Sequence, residues 1–331
     1  VQPQRWLAFC ALLVIATLSA CSSAGGFLLY FDPYEFEVLD GQGINAAAIR
    51  QSFPTNRAVR IEVSPLLTEE AKALRQFGDA IGRARPGWVF VSSTHPFDPG
   101  AVIPLYPDIR FFREGSDEEV SRGTASANQI ALVYDRERAD YEAGRAIAAL
   151  LGDADFRKRI GVAGPGSAPP RVGILSAVDT EPIRREIEAF INGFSEFEDP
   201  GRIELREIGN LTDRVKARRL LDGMREEAVA IVLLKTYVLS GFCLEYLAKE
   251  TGVAIVEGPI PDQAYGDTVL LALVDDFIGA LEQMAEIMDQ APPAGTVEPV
   301  NAPVLLRWNE SYRPVVNRVL EEANQRGMER K

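Results

Sequence analysis

His95 is the only histidine in this 331-residue chain, and it ends the polar run Ser92–Ser93–Thr94–His95. Zinc sites need clustered histidine, cysteine or carboxylate ligands. Here there is no histidine pair, and Cys10, Cys21 and Cys243 are far apart in sequence. No metal site is expected. Ser176 and Ser240 lack the Gly-x-Ser-x-Gly setting of an activated nucleophile. Gly161–Val162–Ala163–Gly164–Pro165–Gly166 has the glycines of a phosphate cradle but not its Lys-Ser/Thr ending. Pro165 also removes a backbone donor, so the stretch reads as a connection. Carboxylates are abundant, but 48 acidic residues form pairs by chance. The chemistry expected is recognition, with carboxylates accepting hydrogen bonds and tyrosines stacking. No catalytic residue and no cofactor is expected.

The elements that must position these groups alternate along the chain. Phe27 to Phe31, Ala58 to Val63, Trp88 to Val91, Ile109 to Phe112 and Gln129 to Tyr134 read as strands. Helical patterns follow several of them, one opened by Thr68 and one over Arg136 to Leu151. Beyond the Gly/Pro-rich stretch the alternation resumes, with strands at Val172 to Leu175, Ile203 to Ile208, Val229 to Leu234, Val253 to Val256 and Val269 to Val274. Helices are expected at Glu181 to Phe194, at Thr212 to Glu227 with Thr212 as N-cap, at Leu239 to Glu250 and at Phe277 to Met288. A further helical pattern surrounds Tyr312 to Ala323. Val229 to Leu234 is wholly aliphatic, the signature of a parallel strand covered on both faces. This pattern predicts an α/β fold of doubly wound parallel sheets. The chain is too long for one such sheet and breaks near residue 135, which gives two lobes. Cys243 lies in the apolar Leu239 to Leu247 stretch and reads as a buried, inert thiol.

The N-terminus carries an address. Arg5 precedes the apolar run Trp6 to Thr17, which is shorter than the roughly 20 residues that span a bilayer. Leu18–Ser19–Ala20 followed by Cys21 resembles a bacterial lipoprotein signal, with residues 1–20 removed and Cys21 lipidated. The expectation is an exported lipoprotein held at a membrane by a lipid such as palmitate, in the periplasm or at the cell surface. The formal net charge of −13 repels nucleic-acid phosphates and anionic headgroups, so nucleic acid is excluded as a partner.

Several phrases resemble the basic membrane protein family (BMP/PnrA-like) of type I periplasmic solute-binding lipoproteins, of which this chain would be a divergent member. They are Tyr106–Pro107–Asp108–Ile109–Arg110–Phe111, Glu142–Ala143–Gly144 with Ala148–Ala149, Arg171 to Leu175 with Gly193–Phe194, and Asp262–Gln263 followed by Thr268 to Val274. The match runs from Phe27 to about Met288. It implies a type I periplasmic binding protein fold: two lobes joined by a three-strand hinge, with a small polar solute enclosed for an ABC-type importer and its permease. Lobe one would hold residues 21–134 and 264–290, and lobe two residues 135–263 and 291–331.

Ligands of doubly wound sheets bind outside the carboxyl ends of the strands. The candidate binding residues are therefore Asp32, Tyr34, Ser93, His95 and Tyr134 in the first half, and Asp179, Lys235, Tyr237, Glu257, Asp262 and Asp275 in the second. Tyr34, Tyr134 and Tyr237 offer faces for a nucleoside base, and the carboxylates offer acceptors for hydroxyls. Two departures from the family stand out: Ile260 replaces a ligand-binding Asp, and Asp275–Asp276 stands where the family has a Lys. They leave a nucleoside, another polar solute or no solute as open readings. The alternative function is a sensor or protein-interaction lipoprotein without a transport role.

Overall fold

A computed structural model describes residues 26–53, 58–65, 69–92, 95, 97–115, 126–162, 170–250, 252–258, 266–293, 295 and 299–329. Residues 1–20, read from the sequence as a signal segment, and Cys21, Ser93, Thr68, Ile260 and Asp262 lie outside the described residues. Two compact units emerge, one running to Val133 and resuming over Phe277–Asn301, the other comprising Tyr134–Asp276 and the chain from Ala302.

The first unit is a six-stranded sheet. β1 (Phe27–Phe31) pairs in parallel with β2 (Val59–Val63) on one side and β3 (Trp88–Val91) on the other. β4 (Arg110–Glu114) and β5 (Gln129–Tyr134) continue the parallel ladder beyond β3. All five residues of β1 are buried, as expected of a central strand covered on both faces. The helix Glu70–Ala84 buries Ala73, Phe77, Ala80 and Ile81, one stripe at helical spacing. Phe77 meets Tyr30 edge-on at 5.0 Å between ring centres. On the other side Phe31 packs on Phe90 at 5.4 Å and on Phe277 at 5.6 Å, which ties the returning helix Phe277–Gln290 to this sheet.

The second unit repeats the plan. β6 (Arg171–Ser176) lies between β7 (Ile203–Glu207) and β8 (Val229–Lys235), and β9 (Val253–Glu257) and β10 (Val269–Asp275) follow, all parallel. β11 (Val300–Ala302) closes the first sheet beside β5, and β12 (Val304–Trp308) pairs antiparallel with β10. The helices Arg136–Gly152 and Glu181–Phe194 pack backbone to backbone. A Cβ on Gly144 would fall 2.0 Å from the carbonyl oxygen of Phe190, and one on Gly193 would fall 1.9 Å from that of Tyr141. Only glycine fits at either contact.

Three expectations change. Of residues 264–290, expected in lobe one, the helix Phe277–Gln290 falls with the first unit, but β10 pairs with β9 along Val269–Leu273 and belongs to the second sheet. Its run Val269 to Val274 is fully buried, and only a central position there covers both faces. Residues 291–301, read as part of lobe two, instead fall with the first unit, where β11 borders β5. Thr212 is not the N-cap. Asn210 Oδ1 takes the N–H groups of Thr212 and Asp213, and Asp213 Oδ1 caps the helix Arg214–Glu226 through the N–H of Lys216.

Candidate functional sites at the strand ends

The strand order β2-β1-β3-β4-β5 in one unit is matched by β7-β6-β8-β9-β10 in the other. In each, the chain reverses its direction of winding between the first strand and the third. Side chains at the carboxyl ends of β1 and β3, and of β6 and β8, therefore flank a topological switch point, where doubly wound sheets bind ligands. Each end is built differently.

In the first unit Asp32 follows β1 and Ser92 follows β3, and the two are joined. Ser92 Oγ accepts the N–H of Asp32 at 3.1 Å and donates to Asp32 Oδ2 at 3.3 Å. His95 Nε2 lies 3.1 Å from Ser92 Oγ and 3.4 Å from the carbonyl oxygen of Tyr30. A carbonyl only accepts, so this network assigns the imidazole proton to Nε2. Burial lowers the His95 pKa against the opposing effects of the Tyr30 carbonyl and Asp32, and the ring is neutral at pH 7. His95 Nδ1 is buried without a partner among the described residues. Serine, histidine and aspartate here do not form a hydrolytic triad. The Ser92 hydroxyl is fully buried, and it hands its proton to the carboxylate rather than to a base. Asp32 Oδ1 also accepts the N–H of Glu35 in the helix Pro33–Gly41. Burial, then the nearby charges of Glu114 and Asp32, raise the Glu35 pKa well above the usual carboxylate range.

The second unit places ions at its strand ends. Lys235, the last residue of β8, is 0% exposed. Its ammonium donates to Asp140 Oδ2 at 2.6 Å, to Glu186 Oε2 at 2.9 Å and to Glu257 Oε1. Asp140 comes from the helix Arg136–Gly152, Glu186 from the helix Glu181–Phe194, and Glu257 ends β9. The three carboxylates are close enough to share a metal ion, but the lysine ammonium already sits within bonding distance of each and fills the cation's role. Burial opposes the charge on Lys235, yet Glu257, Asp140 and Glu186 outweigh it and raise its pKa. Burial also pushes Asp140 up to about 7 despite the lysine, and raises Glu186. Beside this cluster Arg136 pairs with Asp275, the last residue of β10, at 2.7 Å.

Tyr237, two residues past Lys235, has a left-handed backbone (φ 47°) and is 42% exposed. That conformation is costly for a residue with a Cβ, and such strain gathers at ligand clamps. It holds an aromatic side chain out at the end of the central strand.

The candidate residues fall into groups. Asp32 and His95 share one network. Lys235, Glu257 and Asp275 belong to the ionic end of the second unit, with Tyr237 beside them. Lys235 is spent on its three carboxylates, so it bears on a ligand only through Glu257. Asp179, three residues past the end of β6, has an exposed side chain paired to Arg184 at 2.9 Å. Tyr34 lies in the first turn of the helix Pro33–Gly41, and Tyr134 ends β5 half-buried. Ser93 and Asp262 are outside the described residues. Sequence reasoning missed Glu35, Arg136, Asp140 and Glu186. A signal existed for two of them, because Asp140 and Glu186 are acids set on the apolar stripes Ala139–Ala143–Ile147 and Ile183–Ile187–Phe190. Cys243 is buried, and burial pushes its thiol up to about 11, consistent with an inert side chain. Among the described residues no helix is long and apolar enough to cross a membrane.

No family model and no curated protein matches the sequence. Solved structures do match the fold. A transcriptional activator of the comK gene from Bacillus halodurans superposes with a TM-score of 0.63 at 17% identity, over 90% of this chain and 95% of that one. A periplasmic ribose ABC transporter protein from Conexibacter woesei gives 0.58 at 14% identity, over 89% and 96%. An ABC transporter solute-binding protein from Burkholderia graminis, in complex with D-arabinose, gives 0.54 at 13% identity, over 88% and 98%. These neighbours are binding proteins and a regulator, not enzymes. Two parallel-dominated six-stranded sheets with interleaved helices, in this order and with these neighbours, give the chain the fold of the type I periplasmic solute-binding proteins.

Proposed function

We propose that the chain is an exported solute-binding lipoprotein that captures a small polar solute and delivers it to an ABC-type permease. The observation that carries this reading is Tyr237, an aromatic side chain held out in strained backbone where β8 ends, beside the carboxylate of Glu257. An exposed ring next to hydrogen-bond acceptors suits a solute with a flat or ring-shaped body and donor groups on its edge. Asp32 and the acceptor nitrogen of His95 add a second set of polar groups at the other switch point. The D-arabinose bound to one neighbour and the ribose that names another favour a pentose. The phrases resembling the basic membrane protein family favour a nucleoside, which contains one.

A thermal-shift screen over nucleosides, pentoses and amino acids tests the reading. Occupancy stabilises by RT ln(1 + [L]/Kd), about 2.7 kcal/mol at a hundredfold excess over Kd, and a pentose or nucleoside is expected to raise Tm. No shift with any polar metabolite would instead favour the sensor or protein-interaction reading. Anchoring is tested separately: Cys21→Ser is expected to lose acyl labelling and move to the soluble fraction. Acyl label retained in that variant would defeat the lipid anchor.

A further inference from the structure

The ionic end of the second unit carries more negative than positive charge. Asp140 and Arg136 on the helix Arg136–Gly152, Glu186 on the helix Glu181–Phe194, Lys235 on β8, Glu257 on β9 and Asp275 on β10 are its charged groups, with Tyr237 beside them. Arg136 pairs with Asp275 and also bears on Glu257 and Glu186. Two cations thus face four carboxylates, and the ligand oxygens of Asp140, Glu186 and Glu257 lie within 4.8 Å of one another. Carboxylates that close do not all ionise when they outnumber the cations about them. The cluster therefore holds a proton when nothing else neutralises it, in keeping with an Asp140 pKa pushed up to about 7 by burial.

Two oxygens of the cluster are also left over. Asp140 Oδ1 and Glu257 Oε2 are buried and have no hydrogen-bond partner among the described residues, although the other oxygen of each is held by Lys235. Asp140 is wholly buried. Glu257 is the member that reaches the surface, its side chain 17% exposed where β9 ends. Its spare oxygen needs a donor, and the excess charge around it makes a cationic donor better than a neutral one. The exposed face of Tyr237 is a further attraction for a cation.

Resting on the solute-binding reading above, we propose that the second unit selects a solute bearing a protonated amine, which donates to Glu257 Oε2 and replaces the proton held among Asp140, Glu186 and Glu257. The ammonium arrives charged and the displaced proton leaves to solvent, so charge is conserved. Lys235 acts as a positioning residue, fixing one oxygen of Glu257 and leaving the other for the solute.

Matched solutes that differ by one hydroxyl exchanged for an amine test this on the full chain by isothermal calorimetry. Suitable pairs are adenosine with 5′-amino-5′-deoxyadenosine, and glucose with 6-amino-6-deoxyglucose. The amine of at least one pair is expected to bind about tenfold tighter near pH 7.5, with proton release seen near pH 6.5 as a dependence of the heat on buffer ionisation. The advantage should shrink near pH 5.5, where the cluster is protonated and the amine is still charged. Glu257→Gln should remove the preference, with the amine member of a pair losing about tenfold more affinity than its hydroxyl partner. Hydroxyl members binding as tightly as amines at both pH values, without proton release, would overturn the inference and leave solute binding standing. Binding by no member of either pair would overturn it too, and a wider screen without hits would take the solute-binding reading with it.

Discussion

Two sheets of the same strand order end in different physics. At the switch point of the first unit, Asp32, Ser92 and His95 are joined by short-range hydrogen bonds, with a neutral imidazole and, in the helix that follows Asp32, a Glu35 whose pKa burial raises. The corresponding end of the second unit buries Lys235 among three carboxylates drawn from two helices and a neighbouring strand. The contrast shows what a doubly wound topology dictates and what it leaves open. It brings the carboxyl ends of the first and third strands together in both units. How polarity is tolerated there depends on which side chains the covering helices supply. Glu181–Phe194 and Arg136–Gly152 supply acids to the second site, and the first site is closed by loop residues and the short helix Pro33–Gly41.

Removing the central cation should break the comparison most sharply. Lys235→Met leaves three carboxylates facing one another and is expected to cost about 3–5 kcal/mol near neutral pH by chemical denaturation. The sign with pH follows from the direction of the shifts. Asp140 has its pKa raised from 3.8 to about 7, so its contribution to stability is complete below the lower value and lost as pH rises through the upper one. Without Lys235 the carboxylates hold their protons more tightly still. The variant should therefore recover much of its loss near pH 5, and a loss equal at pH 5 and pH 8 would mean the cluster is not ionic.

Glycine separates the units next. Gly144→Ala drives a methyl into the backbone of Phe190 in the second unit and is expected to cost about 3 kcal/mol. Gly82→Ala, on the first unit's helix Glu70–Ala84 with nothing within 4 Å of the new carbon, is expected to gain up to about 1 kcal/mol of helix propensity. Opposite signs in thermal melts would sustain the contrast, and equal effects would dissolve it.

Ser92→Ala probes the hydrogen-bonded network, removing the acceptor of the Asp32 N–H and one of the two partners of His95 Nε2. A loss of about 1–3 kcal/mol is expected, with little change between pH 7 and pH 9, unlike Lys235→Met. The smallest effect belongs to Asp179→Ala. This carboxylate is exposed and, among the described residues, pairs with exposed Arg184, so stability should change by less than about 0.5 kcal/mol. A drop of tenfold or more in the affinity of a solute found by screening would return Asp179 to the binding site.

Much of the architecture was legible in the chain because buried parallel strands are written as unbroken apolar runs. Phe27 to Phe31, Trp88 to Val91 and Gln129 to Tyr134 are strands with the bounds their residues suggest. The strand ends were legible too, since Asp32, Lys235, Glu257 and Asp275 each stand where an aliphatic run stops. The membership of β10 was not, because an apolar strand shows that it is covered on both faces but not by which sheet. Nor were the partners of Lys235. Asp140 is 95 residues from it and Glu186 is 49, and no local pattern joins charges over such distances.

By itself the sequence determined the alternation of strand and helix, the doubly wound class and the polar residues that terminate each strand, because periodicity and apolar runs are local properties. Only the tertiary structure decided that β10 joins the second sheet, that Gly144 and Gly193 are contact points between helices, and that Lys235 is a buried counter-ion rather than an open ligand contact. Those outcomes depend on which distant surfaces come within a few ångströms of one another, where packing and electrostatics act and sequence spacing carries no information.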